Sequence, residues 1–452
     1  MNVGDILEVE AEAIDERGDG VAPHEDRVVL IPGLFPGERG QVQIEGLSRH
    51  TPKAHAWLRS VVRASPDRRA LPCIRQERYP TREPGRSKPA CAGCPLMDVE
   101  IAAQREAKRA RVAREHGLEL DALGPFSLIG GDEFGYRWSS KRVVSGRAGR
   151  LVLGSRVASR RQRDWIADMR GCLVDHPLVT RAFDELEDRG NALGIEPFRG
   201  QTGDLRYVWA KTNGEVVTLT LITAAAESRA ARELGPMLVE EGIVAGVAHS
   251  VQAGSSNVIR GEDTRVIAGD VELVLRLADV DLRVGPLGFL QPNPIVAAQA
   301  YRDLVGPPSR DGETAIGHTL ACDLYAGAGV TTALLRERFS QVVPCESYPE
   351  SAAALGVAAE TAEAFCQRWL SEGRDTPDLI VANPPRAGLG EAVCAGLLGL
   401  GAPRVHVMSC NPATLRTDLD RLASGYELVE LRGYDTLPQT PHVEVVAWLR
   451  RR

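Results

Sequence analysis

From Ile6 to Ile14 apolar and polar residues alternate, the period of a half-buried strand. Arg27–Ile31, Gln41–Ile44 and Ala56–Val62 supply three further strands, and Gly18, Gly20, Gly33, Gly37 and Gly40 punctuate the turns. Short strands at close spacing predict an OB-like β-barrel over residues 1–63, a common oligonucleotide-binding shape. Residues 64–285 read as a mixed α+β segment. In it Val99–His116 predicts a helix, Val216–Ile222 a β-branched strand, and more strands run up to Val284. From residue 286 to 452 the pattern changes to continuous apolar runs alternating with helices. Thr319–Leu324, Gln341–Cys345, Leu379–Ala382, Val405–Met408 and Val443–Leu449 predict buried strands; Thr331–Phe339 and Thr414–Leu422 predict helices. That rhythm predicts a doubly wound, Rossmann-like α/β domain with a mainly parallel sheet.

Composition narrows the class. The 452 residues are 43% hydrophobic and 25% charged, which excludes a disordered chain and allows several cores. There is no apolar run long enough for a transmembrane helix, and Met1–Asp5 lacks the basic and apolar regions of a signal peptide, so a cytoplasmic location is expected. Net charge is -7, yet Arg137 to Arg163 holds nine Arg/Lys and no Asp/Glu, and Arg59 to Arg114 is also Arg-rich. Local basic surface sets phosphate affinity, so a nucleic-acid partner stays in view. Nine cysteines in such a chain read as thiols, metal ligands or nucleophiles.

Four features carry candidate chemistry. Asp323-Leu-Tyr-Ala-Gly-Ala-Gly329 follows the first buried strand, where glycines let backbone approach a ligand, and Glu346 ends the next strand, placed for ribose hydroxyls. A dinucleotide and S-adenosylmethionine both fit this pattern. Asn383-Pro-Pro-Arg386 sits at the carboxyl edge of a later strand, where Asn383 can read a base edge. Cys410 follows another strand at the same edge, and the downstream helix or a cation could lower its pKa. Glu444 offers a carboxylate base. Cys73, Cys91, Cys94 and Cys172 include one CxxC loop, and four thiolates suit zinc or an iron–sulfur cluster.

In this order these residues resemble the RNA uracil-5-methyltransferase family over nearly the whole chain. The resemblance rests on Phe289-Leu-Gln-Pro-Asn-Pro294, Asp323–Gly329, Ser409-Cys-Asn-Pro412 and Thr440-Pro-His-Val-Glu444. It implies a TRAM-like RNA-binding barrel over 1–63, a central RNA-binding domain over 64–285 and an S-adenosylmethionine-dependent methyltransferase domain over 286–452. It implies a [4Fe-4S] cluster on Cys73, Cys91, Cys94 and Cys172. Cofactor contacts fall to Gln291, Tyr325, Gly327, Glu346 and Asn383. Cys410 becomes the nucleophile and Glu444 the proton acceptor in methylation of uridine C5.

A barrel together with a cluster resembles the 23S rRNA enzymes, so a monomer acting on 23S rRNA is expected, with tRNA the other RNA. The family usually has Asp where this chain has Asn383. The Glu346–Pro377 region is short, with Glu360 the only candidate for a further adenine-side acid, and the gap from Cys73 to Cys91 is long. These departures motivate two alternatives: a non-catalytic RNA-binding paralogue, or C5-methylation of another RNA pyrimidine, in tRNA uridine or cytidine.

Overall fold

The structure is a computed structural model. It describes residues 1–74, 91–117, 126, 128–157, 165–254, 259, 261, 264–308 and 318–452. Residues 75–90 and 158–163 of the two basic stretches lie outside the described residues.

The amino-terminal strands are β1 (Ile6–Glu10), β2 (Ala13–Ile14), β3 (Gly20–His24), β4 (Arg27–Ile31), β5 (Arg39–Leu47) and β6 (Lys53–Arg63). They form one sheet in the order β1-β5-β6-β4-β3-β2. The alternation read from Ile6 to Ile14 is one strand in sequence but two here, because Ala11 leaves the ladder and its N–H donates to the Glu38 carbonyl. Val29, Ile31, Val42, Ile44, Ala54 and Leu58 fill a small core of their own.

Helix α1 (Ile101–His116) and the short β7 (Leu128–Gly130) come next. A seven-stranded central sheet follows. Its strands are β8 (Ser139–Arg147), β9 (Arg150–Arg156), β10 (Ile166–Asp168), β11 (Leu205–Thr212), β12 (Val217–Thr223), β13 (Gly246–Val251) and β14 (Thr264–Gly269). Helices α2 (Pro177–Leu193) and α3 (Gly235–Glu240) pack on one face, burying Val179, Leu186 and Leu238 against Val208, Leu219 and Val247. The hairpin β15 (Leu273–Leu277) and β16 (Val280–Val284) then leads into α4 (Pro294–Val305), whose first turn is capped by the Asn293 side chain.

The rest alternates strand and helix. β17 is Leu320–Leu324, α5 Val330–Arg336, β18 Gln341–Cys345, α6 Pro349–Ala354, α7 Ala362–Ser371 and β19 Leu379–Ala382. After them come α8 (Gly390–Leu400), β20 (Arg404–Ser409), α9 (Pro412–Leu422), β21 (Tyr426–Asp435) and β22 (Glu444–Arg451). The sheet order is β18-β17-β19-β20-β22-β21-β7. The first four strands are parallel, β22 runs antiparallel between β20 and β21, and β7 adds parallel to β21 from far upstream. Both faces are covered. Cys322, Ile380 and Val405 pack with Phe365, Val393 and Leu415 on one side; Ala321, Val381 and Met408 pack with Ala300, Leu304 and Leu335 on the other. Burial on both faces is why these strands read as unbroken apolar runs.

Candidate active site

The carboxyl ends of β17, β18, β19 and β20 and the amino end of β22 share one edge of this sheet. In an open α/β sheet that edge is where ligands bind. β20 and β22 are antiparallel with Ser409 opposite Val445, so continuing the register one step sets Cys410 against Glu444. The approach is electrostatic as well as topological. Burial pushes the Cys410 thiol up, the Glu444 carboxylate pushes it further, and Arg386 pulls it down. Burial raises the Glu444 carboxyl to about 7, opposed by the same Arg386. The sequence suggested that helix α9 would acidify the thiol. The helix does begin beside it, with Asn411 as cap and Pro412 at its first position, but loss of water around the sulfur dominates.

Arg386 was not singled out in the sequence. It follows Asn383-Pro384-Pro385 at the end of β19, and its carbonyl accepts from Asn411 Nδ2 and Thr414 Oγ1, each at 3.3 Å, pinning the loop beside the cysteine. A cation after two prolines at a carboxyl strand end was the available signal. Asn383 is partly buried, and its N–H donates to the Leu324 carbonyl. His442 lies close by, its imidazole pushed down to about 4 by burial and by Arg386, Lys108, Arg111 and Arg137. It is therefore neutral near pH 7.

The glycine loop after β17 turns tightly. Gly327 and Gly329 have positive φ, and so does Tyr325, a conformation unusual for a side-chain-bearing residue. A Cβ at Gly329 would meet Leu355 at 2.7 Å. Asp323, wholly buried below the loop, accepts from Thr331 Oγ1 at 2.7 Å and Thr332 Oγ1 at 2.5 Å through one oxygen. Its other oxygen is buried with no partner among the described residues, and burial raises the carboxyl to about 6. Glu346 accepts the Gly327 N–H at 2.8 Å and the Tyr348 N–H at 2.7 Å, so it braces the loop. Glu360 is held by Arg368 at 2.9 and 2.7 Å. Gln291 donates to Tyr301 Oη at 3.1 Å, and that phenol feels both Glu444 and Asp323. An open buried acceptor, a braced acid and glycines at positive φ fit a cationic, ribose-bearing cofactor such as S-adenosylmethionine.

All four candidate ligand cysteines come together, in a cluster that Leu437 also packs against. Cys94 packs with Met97, Tyr136 and Val174, and Cys73 and Cys172 border the same cluster. The Cys94 thiol is pushed up by burial and then by Cys172, Cys91 and Cys73. None of the nine cysteines forms a disulfide. Among the described residues no group of three or more His, Cys, Asp or Glu is placed to hold a metal ion. The donor chemistry suits a thiolate-bound metal; the present spacing does not form a ligand cage.

Part of the basic charge is internal. Arg142 is 3% exposed and paired with Asp175, while Lys141 lies over the Trp209 ring at 3.8 Å. Among the described residues no helix is long and apolar enough to cross a membrane.

The profile of the tRNA (uracil-5-)-methyltransferase family matches residues 375–452, the part that carries Asn383, Cys410 and Glu444. An uncharacterized RNA methyltransferase of Halalkalibacterium halodurans is 28% identical over 475 aligned residues, covering 99% of this chain and 98% of its own. One from Thermosynechococcus vestitus is also 28% identical, with the same coverage. The crystal structure of Pyrococcus abyssi tRNA (uracil-54, C5)-methyltransferase with S-adenosyl-L-homocysteine superposes with TM-score 0.71, at 21% identity, over 98% of this chain and 100% of that one. It shares the fold: a β-rich amino-terminal region and a larger Rossmann-like α/β core. This chain is a distant relative of the uracil-5-methyltransferase family and an enzyme of that general methyltransferase class.

Proposed function

We propose that the protein methylates C5 of a uridine in RNA through a transient bond between Cys410 and C6 of the base. The observation that carries this is the setting of Cys410 against Glu444 at one sheet edge, under the charge of Arg386. Uracil C5 is a poor nucleophile. Addition of the Cys410 thiolate to C6 makes C5 part of an enolate and so electron-rich. S-adenosylmethionine, when bound, supplies the methyl as an electrophilic carbon on sulfonium. The glycine loop, Tyr325, Glu346 and Gln291 would hold and orient it, with Asn383 at the border with the base. Glu444 takes the C5 proton, the electron pair re-forms the C5–C6 double bond, and the Cys410 sulfur leaves as thiolate. A carboxyl near 7 suits that task, because it is ionised often enough to act and basic enough to accept. The base must leave its stack to reach the sulfur.

For the RNA, tRNA uridine replaces 23S rRNA as the preferred target. Both the matched profile and the superposed crystal structure are described as tRNA uracil-5-methyltransferases. The amino-terminal sheet over 1–63 is assigned as a TRAM-like barrel that holds RNA together with the central segment 64–285. Cys73, Cys91, Cys94 and Cys172 are assigned to a [4Fe-4S] cluster on their shared neighbourhood, and no step of the reaction passes through it. Anaerobic protein with about four irons per chain supports that assignment; stoichiometric zinc removes it.

RNA containing 5-fluorouridine tests the reaction. Fluorine at C5 leaves no proton for Glu444, so an SDS-stable adduct through Cys410 is expected. Absence of any adduct with RNA that the enzyme methylates would end the covalent reading. Mapping of 5-methyluridine by mass spectrometry in tRNA and rRNA, with and without the gene, decides the target.

A further inference from the structure

The connection Thr436–Val443 delivers Glu444 to the site. It is irregular, yet most of it is buried, including Thr436, Pro438, Gln439, Thr440 and Pro441. Buried irregular backbone needs partners for its N–H and C=O groups. Its own bonds are few: Thr440 N–H and Oγ1 donate to the Leu437 carbonyl at 3.3 and 2.8 Å.

Helix α1 supplies partners along one side. Gln104, Lys108 and Arg111 lie on one helical face and are 0%, 0% and 5% exposed. Gln104 Oε1 accepts the Gln439 N–H at 3.0 Å, and Gln104 Nε2 donates to Gln439 Oε1 at 2.8 Å. Lys108 pairs with Asp435, at the end of β21, and donates to the Leu437 carbonyl at 3.1 Å. Arg111 donates to the Pro441 carbonyl at 2.9 Å. The helix therefore grips residues 435, 437, 439 and 441 in succession. Gln439 holds a positive φ, and its Nε2 also donates to Glu133 at 3.1 Å. From the other side, Leu96 N–H donates to the Gln439 carbonyl at 3.0 Å, and Tyr136 Oη to the Pro438 carbonyl at 2.8 Å.

We infer that the buried polar face of α1, Gln104, Lys108 and Arg111, is a splint that fixes the strap before Glu444 and so sets the base relative to the target carbon. These are positioning residues, since none of them touches the Cys410–Glu444 pair. Cys410 directly follows the neighbouring strand β20, beside the Arg386 loop that Asn411 and Thr414 pin through its carbonyl. Helix α1 also meets α9, but through other residues, Arg416 donating to the His116 carbonyl, so substituting Gln104 or Arg111 should loosen the strap before Glu444 and spare the setting of Cys410. The inference rests on the covalent reading above.

The test uses Gln104→Met and Arg111→Met in the full-length protein, each checked by thermal melting. With 5-fluorouridine RNA, adduct formation should stay within about twofold of the parent, because that step does not use Glu444. With uridine RNA, turnover should fall at least about tenfold, and a methylated covalent complex should accumulate. Arg111→Lys, which keeps a cationic donor, should recover most of the turnover. If trapping and turnover fall together, or turnover does not change, α1 is only packing and the inference is wrong. If the parent protein forms no adduct, the covalent reading fails first and takes the inference with it.

Discussion

Glu444 raises the proton affinity of Cys410, and Cys410 does not do the same to Glu444. The asymmetry follows from the order of titration. Glu444 ionises near 7, while the thiol, pushed above its ordinary value, is still neutral and exerts no charge. By the time the thiol ionises, the carboxylate beside it is already negative. Bond formation to C6 removes the conflict, because sulfur in the adduct carries no charge.

Glu444→Gln should therefore lower the Cys410 pKa. Iodoacetamide labelling near pH 8, read at the Cys410 peptide by mass spectrometry, should be several times faster in the variant. An unchanged rate would mean that the two groups do not share one field. The same variant should methylate and then stall as a covalent complex.

Arg386 acts in the opposite sense. Arg386→Met removes the cation that lowers both groups. Labelling of Cys410 should slow, adduct formation with 5-fluorouridine RNA should slow about tenfold, and its pH profile should move toward alkali. A parent-like profile would assign Arg386 to the loop alone. Arg386→Lys should restore part of the rate.

Much of this edge was legible in the chain. Gln341–Cys345 and Leu379–Ala382 are found at the bounds expected; Leu379–Ala382 is buried on both faces and so reads as an apolar run bounded by turns. Helix α9 starts earlier than Thr414, at Pro412, and Asn-Pro at cap and first turn was a readable signal. Other features left no local trace. Leu128–Gly130 is too short to show a period, and it pairs with Gly433–Asp435, a partner only the fold brings close. Gln104, Lys108 and Arg111 fall in the helix expected over Val99–His116, where nothing local marks them as internal. They are buried because an irregular strap, invisible to periodicity, needs their donors. Arg386 is an exposed loop residue, and its importance lies in what the neighbouring strands place beside it.

The glycine loop makes a separate prediction. Thr331 and Thr332 hold one oxygen of the buried Asp323. Replacing both with Val leaves that carboxyl without these donors. The loss should be about 1–3 kcal/mol per missing bond, and the Asp323 pKa should rise further. Urea unfolding should show the first effect. Calorimetric titration with S-adenosyl-L-homocysteine should show weaker binding if Asp323 supports the cofactor loop; unchanged affinity would confine Asp323 to the core.

Glu444 also leaves a mark on stability. Its carboxyl titrates near 4.5 when the chain is unfolded and near 7 when folded. Between those values the folded chain binds a proton that the unfolded chain has released. Folding stability therefore falls as pH rises from about 4.5 and levels off above about 7. The full difference corresponds to roughly 3 kcal/mol, and the residue's partial exposure to solvent reduces it to about 1–2 kcal/mol. Glu444→Gln has no such proton to lose. At pH 8 the variant should be the more stable protein, while near pH 4.5 the two should converge. Unfolding by denaturant across that range measures it directly. A stability difference that does not change with pH would show that Glu444 is not held in a water-poor site, and with that the reason for its basicity would be gone.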